Sequence, residues 1–228
     1  MIPQYQTFDT VVIDTAARNR VMRNTYWLLA LSMVPTVLGA WVGVSTGIAT
    51  LFTGWVGLLV FLGGAFGFMY AIEKTKNSSA GVLVLLGFTF FMGLMLSSLL
   101  ARVLGFRNGP SLIMTAFGGT AGIFAVMATL STVIKRDLSG MGKWLFVGAM
   151  VLMVGAIVNV FVGSTVGMLV ISTLAIGIFS AFLLYDLKQI IDGGETNYIT
   201  ATLAVYLDLF NIFQSLLSIL SIMGGERD

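Results

Sequence analysis

The chain has 228 residues, of which 57% are hydrophobic and only 10% charged, with a net charge of +2 and a mean hydropathy of +0.98. Soluble domains carry about 25% charged residues, so this composition describes an integral membrane protein with almost no soluble mass. Histidine and cysteine are both absent, which excludes disulfides, thiolate and imidazole metal sites, haem ligation, Cys- or His-dependent nucleophiles and the histidine pH switch. Any proton-linked behaviour must rest on carboxylates, Lys or Tyr. The small net charge and the lack of a basic run leave no basis for nucleic-acid binding.

Met1 to Asn24 is polar, with Asp9, Asp14, Arg18, Arg20 and Arg23 and no apolar run. It reads as a tail and not as a cleavable signal peptide. Seven apolar stretches follow, at 25–48, 50–72, 80–103, 111–134, 144–162, 166–187 and 199–223, each long enough to cross about 30 Å of hydrocarbon as a helix. Only Ser45, Thr46, Gly47 and Thr50 mark the turn between the first two. None alternates with the dyad period of an outer-membrane barrel, so the expectation is an all-α fold of seven transmembrane helices. The domain plan is a tail over 1–24, a transmembrane domain over 25–223 and a short C-terminal tail over 224–228.

Trp27, Trp41, Trp55, Trp144 and Tyr198 fall near predicted helix ends, where amphipathic rings prefer to lie. The glycine sets Gly39/Gly43/Gly47, Gly63/Gly67 and Gly118/Gly122 recur four apart and predict close backbone packing. Lys and Arg set the orientation. Arg18, Arg20, Arg23, Lys74, Lys76, Lys135, Arg136, Lys143 and Lys188 fall on one side, against Arg102, Arg107 and Arg227 on the other. The N-terminus is therefore expected in the cytoplasm.

Asp208 sits near the middle of the last apolar stretch, where an ionisable group costs about 2.5–3.5 kcal/mol on insertion scales and is functional by default. Asp186 lies near the end of the preceding stretch. The two are equidistant from position 197 in the turn Asp192-Gly193-Gly194-Glu195-Thr196-Asn197, which predicts equal height on an antiparallel hairpin, up to about 16 Å in. On the seventh helix, Ala201, Ala204, Asp208, Asn211, Ser215 and Ser218 line one face, a small and polar seam that should point inward. Asn159 in the fifth stretch is a candidate for contact with that helix. Two readings of Asp186 stand: a buried partnership with Asp208, or an interfacial ion pair with Lys188. Asp208 likewise reads as a gate or as a neutral acid tying helices together. Two adjoining carboxyls cannot both ionise cheaply and would share a proton; they also offer hard oxygens to Ca²⁺. In the first reading of each, the expectation is a proton-linked gate with Asp186 and Asp208 as transient calcium ligands, supported by Asn211, Ser215 and Asn159.

Tyr185-Asp186-Leu187-Lys188-Gln189-Ile190 and Tyr206-Leu207-Asp208-Leu209-Phe210-Asn211-Ile212-Phe213 resemble the last two helices of the Bax inhibitor-1 family. Lys135-Arg136-Asp137-Leu138-Ser139-Gly140 resembles that family's loop before the fifth helix. Arg23-Asn24-Thr25-Tyr26 and Gly193-Gly194-Glu195-Thr196-Asn197-Tyr198-Ile199 resemble its bacterial YccA-like branch. The resemblance implies a seven-helix fold with the last helix at the centre, and a pH-sensitive Ca²⁺ leak governed by a di-aspartyl sensor matching Asp186 and Asp208. An arginine latch belongs to that sensor near the end of the second helix, where this chain has Glu73, Lys74 and Lys76. The YccA-like branch further implies a location in the bacterial inner membrane and a regulatory association with the membrane-bound AAA protease FtsH. No cofactor and no enzymatic activity are implied. The last stretch lacks the lysine a retinal photoreceptor needs, and no Gly-x-Gly-Asp motif supports an intramembrane aspartyl protease.

Overall fold

The computed structural model describes residues 15–48 and 54–225. Within them the chain forms seven helices and no strand: α1 (Thr15–Ser45), α2 (Gly54–Thr75), α3 (Ser79–Leu104), α4 (Gly109–Val133), α5 (Met141–Val162), α6 (Thr165–Asp192) and α7 (Tyr198–Gly224). All seven are long and apolar enough to cross a membrane.

Local chemistry fixes the ends. Pro110 opens α4, where its missing N–H would have had no helical partner. α5 stops at Gly163, whose φ of 66° lies in the left-handed region, and Ser164 at once caps α6 by accepting the Gly167 N–H at 3.0 Å. Asn197 caps α7 by accepting the N–H groups of Ile199 at 2.8 Å and Thr200 at 3.3 Å. The same side chain donates to the Lys76 carbonyl and to Asn77, fastening the α2–α3 turn to the α6–α7 turn.

Two boundaries differ from expectation. α1 begins at Thr15, so Arg18, Arg20 and Arg23 ride on its first turns while Val21 and Met22 already pack on the core. α6 runs on to Asp192, because Lys188 bonds Asp192 one turn ahead and the helix stops only where Gly193 takes φ 81°. Asp186 is thus inside a helix and not at its end. Residues 1–14 and 49–53, which include much of the expected tail and part of the first turn, lie outside the described residues.

α1 and α3 form the closest pair. A Cβ on Gly39 would meet the Phe90 carbonyl oxygen at 2.1 Å, and one on Gly93 would meet that of Thr36 at 2.1 Å. The two backbones therefore touch through reciprocal notches. Gly43 sits equally hard against Ser97. The other four-residue glycine pairs do not behave as expected: Gly63, Gly67, Gly118 and Gly122 face open space. α7 packs on α1, α2, α3, α4 and α6, and α5 packs along α6 and touches α2. The largest core runs through Phe88 and Met92 of α3, Leu183 and Leu187 of α6 and Val205, Tyr206 and Ile212 of α7.

Candidate functional site

α6 and α7 run antiparallel out of the Gly193–Asn197 turn. Asp186 lies six residues before the end of α6 and Asp208 ten after the start of α7, roughly 9 Å and 15 Å of helical rise. Their carboxyls come within hydrogen-bonding reach of each other. Carboxylates only accept hydrogen bonds, so a bond between the two requires a proton held by the pair. Asp208 is 4% exposed, and its Oδ2 receives no N–H or hydroxyl among the described residues. Glu195, in the turn, lies near enough for its charge to act on Asp186. Two carboxyls thus meet at one point of the α6–α7 seam, with a third acid near by.

The interfacial reading of Asp186 does not hold. Lys188 is buried and gives its ammonium to Asp192 at 2.8 Å, on the next turn of the same helix. The seam on α7 is buried at Ala201, Asp208, Ser215 and Ser218 and half-buried at Ala204 and Asn211. Asn211 is satisfied within its own helix, donating to the Leu207 carbonyl at 2.8 Å.

Asn159 is not a partner of α7. Its helix has no packing contact with α7 among the described residues, and its Oδ1 faces Gly167 near the start of α6. The Gly163–Ser164 turn folds α5 directly onto α6, where Gly142, Gly148 and Gly155 receive Tyr185, Ile178 and Ile171. Those three α6 residues repeat every seven, on a flank turned away from α7, which holds Asn159 at the outer edge.

A second polar cluster escaped the sequence reading. Tyr206 is two residues from Asp208, about 200° around the helix, so it points to the opposite flank of α7. There it is 1% exposed, and its hydroxyl lies 2.9 Å from Thr36 Oγ1, which itself donates to the Ser32 carbonyl at 2.8 Å. The Tyr206 hydroxyl thus joins Thr36 of α1 and, at 3.5 Å, the Thr89 carbonyl of α3. Thr202, one turn earlier, donates to the Tyr198 carbonyl at 2.6 Å beside Thr25. Thr25, Ser32 and Thr36 are spaced seven and four apart on α1, a helical stripe visible in the sequence but easily lost among apolar neighbours.

Among the described residues no three His, Cys, Asp or Glu side chains converge to hold a metal ion. A calcium ion at the acid pair would have two carboxyls and its own water as ligands, which suits passage better than retention.

The family described as "Inhibitor of apoptosis-promoting Bax1" matches residues 18–225. An uncharacterized membrane protein of Vibrio cholerae is 38% identical over 212 residues, covering 93% of each chain. A protein of Escherichia coli K12 named modulator of FtsH protease YccA is 37% identical over 208 residues, covering 91% of this chain and 92% of its own. A Neisseria meningitidis protein is 34% identical over 226 residues, covering 98% of this chain and 99% of its own.

Proposed function

The chain belongs to the Bax inhibitor-1 family, and on that premise we propose that it is a multi-pass inner-membrane protein whose Asp186–Asp208 pair gates a proton-linked leak of cations, calcium among them. The observation that carries this reading is the meeting of two carboxyls between α6 and α7, one of them 4% exposed. With one proton the pair bridges the helices. Without it two negative charges repel across the seam and hold a transient site for a hard cation. The N-terminus is cytoplasmic in this reading, because the ends and turns on its side carry nine of the 12 Lys and Arg residues.

The test is Ca²⁺ entry into liposomes holding the purified protein, at mildly acidic and neutral pH, beside Asp208→Asn. Parent flux should change with pH, and the variant should assemble normally but lose that change. Flux no greater than that of empty liposomes at both pH values would remove the channel and leave Asp208 as a helix-tying hydrogen bond.

A second reading, restraint of the membrane protease FtsH, is favoured by the name of the E. coli relative at 37% identity. It predicts that the chain slows FtsH proteolysis of a reporter substrate, that deleting residues 1–14 relieves the restraint, and that Asp208→Asn does not.

A further inference from the structure

α1 and α4 have no backbone packing contact among the described residues, yet Tyr26 and Phe124 meet edge-on with ring centroids 6.2 Å apart. The gap they bridge is a groove of about 460 Å³ lined by Tyr26, Leu29, Ala30, Met33 and Phe124. It opens outward, with Ala30 exposed and Leu29 at its floor. Nothing in its lining offers a charge.

One end of this groove is strongly cationic. Arg23 precedes Tyr26 by three residues and Ala30 by seven, so it shares their face of α1. α4 runs antiparallel to α1 and ends at Val133, about 14 Å of rise beyond Phe124, with Lys135 and Arg136 immediately after. Arg18 and Arg20 lie about 9–12 Å below Tyr26 on the same side. Among the described residues, none of these five cations has an ion pair. Asp137 is the one acid beside this cluster among those residues; its carboxylate accepts the N–H of Ser139 at 2.8 Å and that residue's hydroxyl at 2.9 Å.

An apolar slot whose end carries net positive charge among the described residues, five cations against Asp137, fits an amphiphile with an anionic head. We propose that the α1/α4 groove binds an anionic phospholipid, one acyl chain against Tyr26, Ala30 and Phe124 and the phosphate at Arg23 and Lys135–Arg136. A soluble anion would leave the slot unfilled, and a zwitterionic lipid would bring its own positive charge to the cations. The site lies across the bundle from α5 and does not depend on the acid pair.

The test is native mass spectrometry of the full chain with phosphatidylglycerol or phosphatidylethanolamine in the detergent. Phosphatidylglycerol should be retained preferentially, and Arg23→Gln, alone and with Lys135→Gln and Arg136→Gln, should weaken retention about fivefold per cation removed. Ala30→Phe should also lower retention, with every charge intact, whereas Arg107→Gln at the opposite end should not. Equal retention of the two lipids, or retention indifferent to both Arg23→Gln and Ala30→Phe, would overturn the proposal. So would displacement of the lipid by soluble glycerol phosphate, which would mark a plain anion site.

Discussion

The α1–α3 and α5–α6 interfaces use the same residue type in two different ways. Between α1 and α3, Gly39 and Gly93 lie against carbonyl oxygens of the facing backbone; between α5 and α6, Gly142, Gly148 and Gly155 meet only side chains, those of Tyr185, Ile178 and Ile171. A carbonyl in a helix cannot retreat, but an isoleucine can turn about its side-chain torsions. The first contact is a fixed notch and the second an adaptable one. Burial follows suit: 33% and 39% of the membrane windows of α1 and α3 are buried, against 6% of that of α5. Tyr206 attaches α7 to the rigid side through Thr36. The acid pair joins the two sides: Asp208 is on α7, and Asp186 is on α6, which shares the core with α7 and also carries α5.

The sharpest way to break this comparison is to add one methyl group on each side of it. Gly93→Ala forces two backbones apart and should lower stability by at least about 3 kcal/mol, read as a large fall in the thermal midpoint and loss of a monodisperse peak. Gly155→Ala, whose Cβ would stand 3.8 Å from Ile171, should stay within about 0.5 kcal/mol of the parent. Similar losses in the two variants would erase the distinction.

Tyr206→Phe removes one buried hydrogen bond without changing shape, for an expected loss of about 1 kcal/mol. Combined with Thr36→Val the losses should be non-additive, since the two hydroxyls share one contact; simple addition would detach Tyr206 from α1. A similar effect belongs to Asp192→Asn. It leaves Lys188 a neutral amide oxygen in place of a carboxylate, and since Asp192 is exposed while Lys188 is buried, thermal unfolding should register about 1 kcal/mol.

The smallest effect lies in the α4–α5 turn. The Ser139 N–H, then its hydroxyl, hold the Asp137 carboxyl below its usual value of 3.8. A depressed carboxyl contributes order above its unfolded value and loses it as pH falls through the folded one. Exchange of the Ser139 amide should accordingly lose protection only below about pH 4. Loss of protection near neutral pH would show that the turn is held by something else.

Much of the fold was legible because the bilayer imposes one period and one length on every element, and the seven apolar stretches follow directly from that. The depth of Asp186 and Asp208 was legible in part for a related reason: a hairpin is a ruler, although the true turn sets them about 9 Å and 15 Å along their helices and not level. Helix rotation and neighbour choice were less so. Asn159 looked like a partner for α7 because it is polar, yet polarity does not say which neighbour a helix has. The glycine pairs misled in the same way. Gly39 and Gly43 pack hard against α3, whereas Gly118 and Gly122 face open space, and the same spacing serves both. Tyr206 was invisible because a tyrosine in an apolar run is ordinary until its hydroxyl has a partner.

The burial of α7 also has a consequence for biosynthesis. Half of its membrane window is buried, more than for any other helix, and it is made after the other six. Until it arrives, α1 and α3 can engage through their glycine notches, but the faces of both that α7 covers stay open. Thr25, Ser32 and Thr89, all fully buried in the finished protein, then face lipid or a chaperone. A nascent chain halted before Tyr198 would be a six-helix bundle with an unfilled hydroxyl-lined cleft, the kind of exposed polar surface that membrane quality control can read. Arrival of α7 and closure of the core are thus one event.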